Sequence, residues 1–497
     1  MSDKKSAIII GAGIGGIATG IYLARNGYEV RIYEKTASPG GRCGQTIREG
    51  HRFDLGATMF LMPSVYRDVF ASLGLKLEED FEIAPLSTMY KLYFQDGSVL
   101  PFSTDDEVMR SFMEKMERGS FKKLQSYVSL GYQFFRCSIK DLIGRNFYKW
   151  SEFITVKNVL LLIRLRTYLK HSVFIKKYFH HPNLRMAFTF QNIYIGQNPF
   201  QSPALFSMLS ATELKEGSFS IQGGMYSIVE KLVATATSLG VDFQYKNPVS
   251  EIIVLDHKAT GVVLNDGNEI NADIVIANAD LPYVYRELLP DKKTSSRIDK
   301  MSYACSAMVF HWGLDKVYPQ LGHHSVFFSK GYRSSMKMIF KKKALADHPN
   351  FYVHAPVRSD PKAAPEGQDT LSVVVPAGHL DEHHDHDWNK IKNTARASII
   401  NRLKQLGMED IEEHIKFEIC YLPHTWKSVY NVSRGAVFGS LSHRIFQMGY
   451  FRPHNRHNRY RNLYFVGGST HPGNGIPLVL MSAKLTSERI LKDAKGL

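Results

Sequence analysis

Residues 6–34 read SAIIIGAGIGGIATGIYLARNGYEVRIYE, and the rest of the chain is best approached from this stretch. Ser6, Ala7, Ile8, Ile9 and Ile10 form an apolar run without alternation, the pattern of a parallel strand buried on both faces. Gly11, Gly13 and Gly16 follow at the spacing G-x-G-x-x-G, with Gly15 as a further glycine inside it. A helical pattern carries Ile17, Tyr22 and Leu23 up to Asn26 and Gly27, a helix stop. A second strand is expected over 28–33, with Glu34 at its end. Strand, tight turn, helix and strand is the context in which this glycine pattern binds a dinucleotide. Gly11 permits the turn, Gly13 lets the backbone approach a pyrophosphate, and Gly16 lets helix and strand pack closely. The helix N-terminus offers free N–H groups and a positive dipole end to phosphate. Glu34 suits ribose hydroxyls and would repel a 2′-phosphate, which argues against NADP.

FAD and NAD share this pattern, so the neighbouring segments must separate them. Pro39, Gly40, Gly41 and Arg42 come just after the second strand. Paired glycines bring backbone near a ligand, and Arg42 can reach a phosphate or a flavin edge. Residues 51–58 read HRFDLGAT, containing Phe53, Asp54, Gly56, Ala57 and Thr58. Near the other end, residues 462–480 read NLYFVGGSTHPGNGIPLVL. A short buried strand is expected at 463–466, then a loop rich in glycine (Gly467, Gly468, Gly473, Gly475). Pro477 suits the first turn of a following helix.

These segments resemble the FAD-containing amine oxidase superfamily, which pairs the fingerprint with Gly-Gly-Arg and Phe-Asp-x-Gly segments. Within it, Thr470, His471, Pro472, Gly473, Gly475 and Pro477 resemble in order the C-terminal signature of bacterial phytoene desaturases. Residues 192–205, 222–225 and 247–253 are similar to the same family. The resemblance implies FAD as cofactor, with Gly56, Ala57 and Thr58 near the isoalloxazine ring and the Val249 backbone on the adenine. It also implies that Gly467, Gly468, Gly475, Ile476 and Pro477 lie close to the flavin. The implied fold is α/β: a discontinuous Rossmann-like FAD-binding domain, an α+β substrate domain and a helical membrane-associated region. The FAD domain would take 1–85, 222–290 and 430–497. The substrate domain would take 86–221 and 291–429, with 105–200 largely helical.

The implied activity is carotenoid desaturation: a C30 or C40 polyene loses hydride to flavin and a proton to water or a side chain. Such a substrate calls for an apolar tunnel and an orienting scaffold rather than ionic contacts. His471 is a catalytic candidate by position only. Quinone or O2 would take up the electrons. Relatives that oxidise a terminal methyl group, isomerise polyenes or saturate them share these motifs. A non-catalytic prenyl carrier, as in the Rab GDP-dissociation inhibitors, would lack an intact flavin site.

The 497-residue chain carries a formal charge of +15, which points to anionic partners. No nucleic-acid module accompanies the basic residues 454–461, which read as a solvated loop; no nucleic-acid partner is expected. Residues 157–177 carry Lys157, Arg164, Arg166, Lys170, Lys176 and Lys177 between aliphatic residues, with no acidic residue. They read as a basic amphipathic helix for an anionic membrane surface. No apolar run is long enough to span a bilayer and no signal peptide is evident. A cytoplasmic protein, peripheral to the cytoplasmic membrane, is expected. Cys43, Cys137, Cys305 and Cys420 are scattered, as in reduced compartments. His383, His384 and His386 with Asp385 read as a solvated polar loop, so no metal is expected.

Overall fold

In the computed structural model, which describes residues 4–381, 383–384 and 386–496, Ser6–Ile10 is the central strand of a five-stranded parallel sheet. The order across the sheet is Leu463–Phe465, Ile274–Ala277, Ser6–Ile10, Glu29–Glu34 and Asp242–Tyr245. Every residue of Ile274–Ala277 and Leu463–Phe465 is buried. That is what helices on both faces of a parallel sheet require. The helix Ile14–Arg25 follows the first strand and packs against Tyr226–Ser238 and the C-terminal helix Ile476–Ala494. Gly27, at φ 83°, ends the first helix in the left-handed region. The order places the carboxyl end of Ser6–Ile10 between strands on either side. Parallel α/β sheets bind ligands at that crevice.

A second sheet has seven strands, in the order Ile415–Tyr421, Ser306–Leu314, Asp369–Ala377, Phe351–His354, His324–Phe327, Thr88–Tyr93 and Val99–Ser103. Its pairs are antiparallel except Thr88–Tyr93 with His324–Phe327. Ser306–Leu314 is buried at every position and is paired along both edges. Between the sheets run helices that include Asp106–Met116, Ser120–Ser138 and Ser207–Glu216. The helix Ser120–Ser138 widens to a π-type turn at Ile139–Ile143.

Two expectations need correction. Residues 157–177 do not form one helix. Val156–Arg164 is helical, Arg166 turns left-handed at φ 52°, and the chain resumes as His171–Phe174. The break has a cause: the His171 N–H donates to the Ser202 carbonyl and the Ala204 N–H to the Leu169 carbonyl. Phe174 and Ile175 meanwhile enter the core. The 454–461 segment is not simply solvated. Asn455 and His457 are buried, Arg456 pairs with Asp493, and Arg459 pairs with Asp291.

Candidate cofactor site and its apolar arm

A cavity of about 550 Å³ opens at the carboxyl ends of the parallel strands and runs on to the seven-stranded sheet. It is lined by Gly11, Gly13, Gly15, Glu34, Gly41, Arg42, Gly56, Ala57, Thr58, Val249, Gly467, Gly468, Gly475, Ile476 and Pro477. Gly16 does not line it. A Cβ at Gly16 would sit 2.4 Å from the Gly11 carbonyl oxygen, so this glycine serves close packing of helix on turn.

The first turn is built around Asn278, which directly follows the strand Ile274–Ala277. Its N–H donates to the Ile10 carbonyl at 2.8 Å and its Nδ2 to the Val466 carbonyl at 3.1 Å, tying the first and last cavity loops together. A Cβ at Gly13 would lie 2.7 Å from Asn278 Oδ1, and one at Gly15 would lie 2.9 Å from Nδ2. A Cβ at Gly16 would also lie 3.0 Å from the Asn278 side chain, so Gly13, Gly15 and Gly16 are all fixed by it, the first two also by the space in front of them. Asn278 Oδ1 itself is buried without a partner.

Glu34 is buried and accepts from the Ala12 N–H at 2.8 Å with one oxygen and from the Thr36 N–H and hydroxyl with the other. Each carboxylate oxygen has more than one lone pair, so capacity toward the cavity remains. Gly56 interlocks with the Gly-Gly-Arg segment: a Cβ there would lie 1.7 Å from the Arg42 carbonyl oxygen. Arg42 donates to the Val437 carbonyl at 3.0 Å. Asp54 accepts from the N–H groups of Met225 and Tyr226, which open the helix Tyr226–Ser238. Burial pushes its carboxyl up to about 6.

The C-terminal loop hangs on Arg452, fully buried, which donates to the carbonyls of Thr470, Gly468, Ser442 and Gln447. Burial lowers its guanidinium to about 9. Asn455 donates to the carbonyls of His471 and Phe465 and to the hydroxyls of Ser482 and Thr486. The sequence gives little sign of either role, because both residues sit in a basic, polar-looking stretch. His471 is not among the cavity's lining residues. Its Nε2 lies 3.0 Å from the Arg145 carbonyl and burial lowers it to about 4. The positional case for a proton-transfer role is thereby removed, and the residue reads as an anchor of its loop. In the 379–387 segment His379 is buried, His383 is exposed in a turn, His384 is half-buried, and Glu382 and Asp385 lie outside the described residues.

These features fit FAD. Two helix N-termini, at Ile14 and Ile476, meet the cavity with no acidic residue in either first turn. Their first N–H groups have no intrahelical partner, as a diphosphate requires. Gly475, at φ 92°, leaves open space where a Cβ would stand. Much of the remaining lining is apolar, with Phe135, Ile139, Ile193, Met208, Phe328 and Met336 among its residues, while His311, Asn350, Tyr352 and Ser372 line it on the side of the seven-stranded sheet. The charged lining residues, Glu34, Lys35, Arg42, Asp54 and Asp280, belong to the glycine-bearing segments and the loops that meet them.

A sequence profile of the flavin containing amine oxidoreductases matches residues 14–491. The chain is 37% identical to the zeta-carotene-forming phytoene desaturase of Myxococcus xanthus, covering 99% of this chain and 94% of that one. It is 32% identical to the 4,4'-diaponeurosporene-forming 4,4'-diapophytoene desaturase of Staphylococcus haemolyticus, covering 98% of both. Among solved structures it is similar to putrescine oxidase with putrescine bound, at a TM-score of 0.66 and 14% identity over 98% of this chain and 99% of that one.

Proposed function

The chain belongs to the carotenoid desaturases within the flavin containing amine oxidoreductases, and from that premise we propose that it introduces C=C bonds into a C30 or C40 polyene. The observation that carries this reading is a single cavity lined both by the glycine segments and by many apolar side chains, Phe135, Ile139, Ile193, Met208, Phe328 and Met336 among them. A long hydrocarbon offers no charge to recognise, so shape and burial must orient it. FAD, when bound, supplies the two-electron acceptor for a hydride leaving the polyene.

The chain's own residues divide the remaining work. Gly11, Gly13 and Gly15, with the N-terminus of Ile14–Arg25, receive the pyrophosphate. Glu34 accepts from the ribose hydroxyls, and the Val249 backbone meets the adenine. Gly56, Ala57, Thr58, Gly467, Gly468, Gly475, Ile476 and Pro477 flank the ring and present it to the apolar arm. The apolar walls would shield the carbon that loses hydride, and the proton on the adjacent carbon would depart to water or a side chain, its C–H electron pair forming the new C=C bond. Quinone or O2 removes the electrons.

Delivery of such a substrate calls for a lipid surface, and the helix Val156–Arg164 has the form of one contact. Val156, Val159, Leu160 and Ile163 lie along one stripe at spacings of three and four residues, and are 80%, 44%, 60% and 54% exposed. Arg164 and Lys170 are nearby in the chain, while Lys157 pairs with Asp141 and Arg166 stacks on Phe174. Phe446 and Phe451, 79% and 43% exposed, form a further apolar spot, with their rings in contact and Phe451 packed on the buried Phe153. No helix among the described residues is long and apolar enough to cross a membrane. We propose that the exposed stripe docks the protein peripherally on the cytoplasmic membrane.

The test is anaerobic incubation of the flavoprotein with phytoene or its C30 counterpart in anionic liposomes. Bleaching of the flavin band, its return on adding quinone, and a red shift of the polyene spectrum are expected. Incorporation of oxygen from labelled O2 would instead support oxidation of a terminal methyl group.

A further inference from the structure

Three imidazoles meet behind the cavity wall. His324 opens the strand His324–Phe327 and is paired in register with His354, the last residue of Phe351–His354. His323 precedes it. The ring centroids of His323 and His324 are 4.3 Å apart, of His323 and His354 4.9 Å, and of His324 and His354 5.2 Å. One ring nitrogen from each lies within 4.8 Å of those of the other two. We propose that His323, His324 and His354 form a binding site for a divalent transition metal of the Zn²⁺ type, with the fourth position left to water.

The distances permit it. Three nitrogens no more than 4.8 Å apart lie within about 2.8 Å of a common centre, against about 2.0–2.1 Å for a Zn–N bond. Each ring closes by about 0.7 Å at most. The outer hydrogen bonds already select which nitrogen faces inward. His323 Nδ1 is 2.7 Å from the Ser359 hydroxyl and His324 Nδ1 is 2.7 Å from the Tyr352 hydroxyl. Metal-bound imidazoles take such partners on the remote nitrogen, which fixes ring orientation and leaves Nε2 for the ion. His324 is 1% exposed and its Nε2 has no hydrogen-bond partner. A buried nitrogen in that state is costly unless something occupies the space before it. Burial also keeps all three rings neutral, the form a metal binds. Two nearby arginines do not oppose the ion outright, since Arg358 pairs with Asp369 and Arg52 with Asp360. Neutral imidazoles without thiolate or carboxylate suit Zn²⁺ and its neighbours rather than Ca²⁺ or Mg²⁺.

The site has a consequence for the cavity. Tyr352 lines it, and its hydroxyl is also 2.7 Å from Thr58 Oγ1. A metal on His324 Nε2 would hold the Nδ1–H toward Tyr352, so that the phenol donates onward to Thr58. The three histidines are then positioning residues for that part of the wall.

The experiment uses the FAD-loaded protein, stripped of metal with a chelator and titrated with Zn²⁺. One equivalent that survives gel filtration is expected, and Co²⁺ in its place should give ligand-field bands beyond the flavin absorption. The pair His323→Gln and His354→Gln should lose that equivalent while keeping flavin content. The control His383→Asn, His384→Asn and His386→Asn, on the polar loop, should keep it. No retained equivalent, or one that persists in the His323→Gln/His354→Gln variant, overturns the proposal. Should that variant fail to fold, Zn-edge absorption on the unaltered holoprotein decides. Three imidazoles in the shell support the site, and a shell with sulfur or without imidazole overturns it.

Discussion

A single side chain, Asn278, meets three of the fingerprint glycines, and this makes substitutions there sharper than the glycine pattern alone implies. In Gly13→Val the new Cβ would fall 2.7 Å from Asn278 Oδ1, and its methyl groups would enter the space ascribed to the diphosphate. Flavin content after gel filtration should fall at least about tenfold, equivalent to about 1.4 kcal/mol or more. A variant that keeps full flavin would move the cofactor elsewhere. Glu34→Ala tests the opposite side of the turn. It removes the acceptor for the Ala12 N–H and for Thr36 along with the proposed ribose contact. Hydrogen bonds to a charged acceptor contribute about 1.5–3 kcal/mol. FAD titration of the apoprotein should show weakening of that order, with Glu34→Gln intermediate. Arg452 is a third probe. Lysine cannot reproduce its fan of bonds to four carbonyls, because it lacks the planar fork. Arg452→Lys should lower both the melting midpoint and flavin retention, and an unchanged midpoint would mean that the loop is held by other contacts.

At the scale of elements, the sheet strands that flank the glycines were legible because a strand buried on both faces must be apolar throughout. Ser6–Ile10, Ile274–Ala277 and Leu463–Phe465 all carry that mark. The glycine segments were legible too, since few other residues tolerate the close approaches found at Gly16 and Gly56. What escaped was fixed by pairing between distant parts of the chain. Asn278 acquires its role only when Val466 lies beside it, and His354 meets His324 only through strand register. The break at Arg166 escaped for the same reason, because residues 202–204 capture the backbone there. The exposed stripe of Val156–Arg164 survives that break and can be tested alone. Replacing Val156, Leu160 and Ile163 with Ser should leave stability nearly unchanged, since surface changes stay within about 0.5 kcal/mol. Sedimentation with anionic vesicles should fall. Replacing Lys157, Arg164, Arg166 and Lys170 with Gln should weaken binding by about 1 kcal/mol per charge, and salt should weaken the native protein likewise. Unchanged sedimentation in both variants would give this helix to some other role.

Across the whole molecule, burial leaves several imidazoles uncharged, and this sets how the fold responds to acid. Burial lowers His171 to about 3 and His379, His454 and His471 to about 4, from an ordinary 6.5. Below pH 6.5 the unfolded chain takes up protons that these folded sites refuse, so stability present above pH 6.5 is lost as pH falls toward 4. Each such group removes about 1.4 kcal/mol per pH unit within its window. His171 shows the structural reason. Its Nδ1 accepts from the Asn192 amide and its Nε2 is bonded to the Tyr127 hydroxyl, so a second ring proton would face a donor in a sealed site. Two carboxyls act in the other direction. Burial raises Asp54 to about 6 and Glu213 to about 8, so their ionisation costs stability above those values and acid relieves the cost. Between pH 6 and 4.5 the lowered imidazoles, His311, His323 and His457 among them, outnumber the two raised carboxyls, so stability falls as pH falls. Thermal unfolding of the flavoprotein, followed by far-UV ellipticity and flavin release, should therefore show a midpoint that drops steeply from pH 6 to pH 4.5 and changes little from pH 7 to pH 6.5. Unfolding at pH 5, measured in two buffers of different ionisation enthalpy, should show net proton uptake. A midpoint that holds steady or rises across that interval, or unfolding that releases protons at pH 5, would show that these imidazoles are charged in the folded protein and that their pockets admit water.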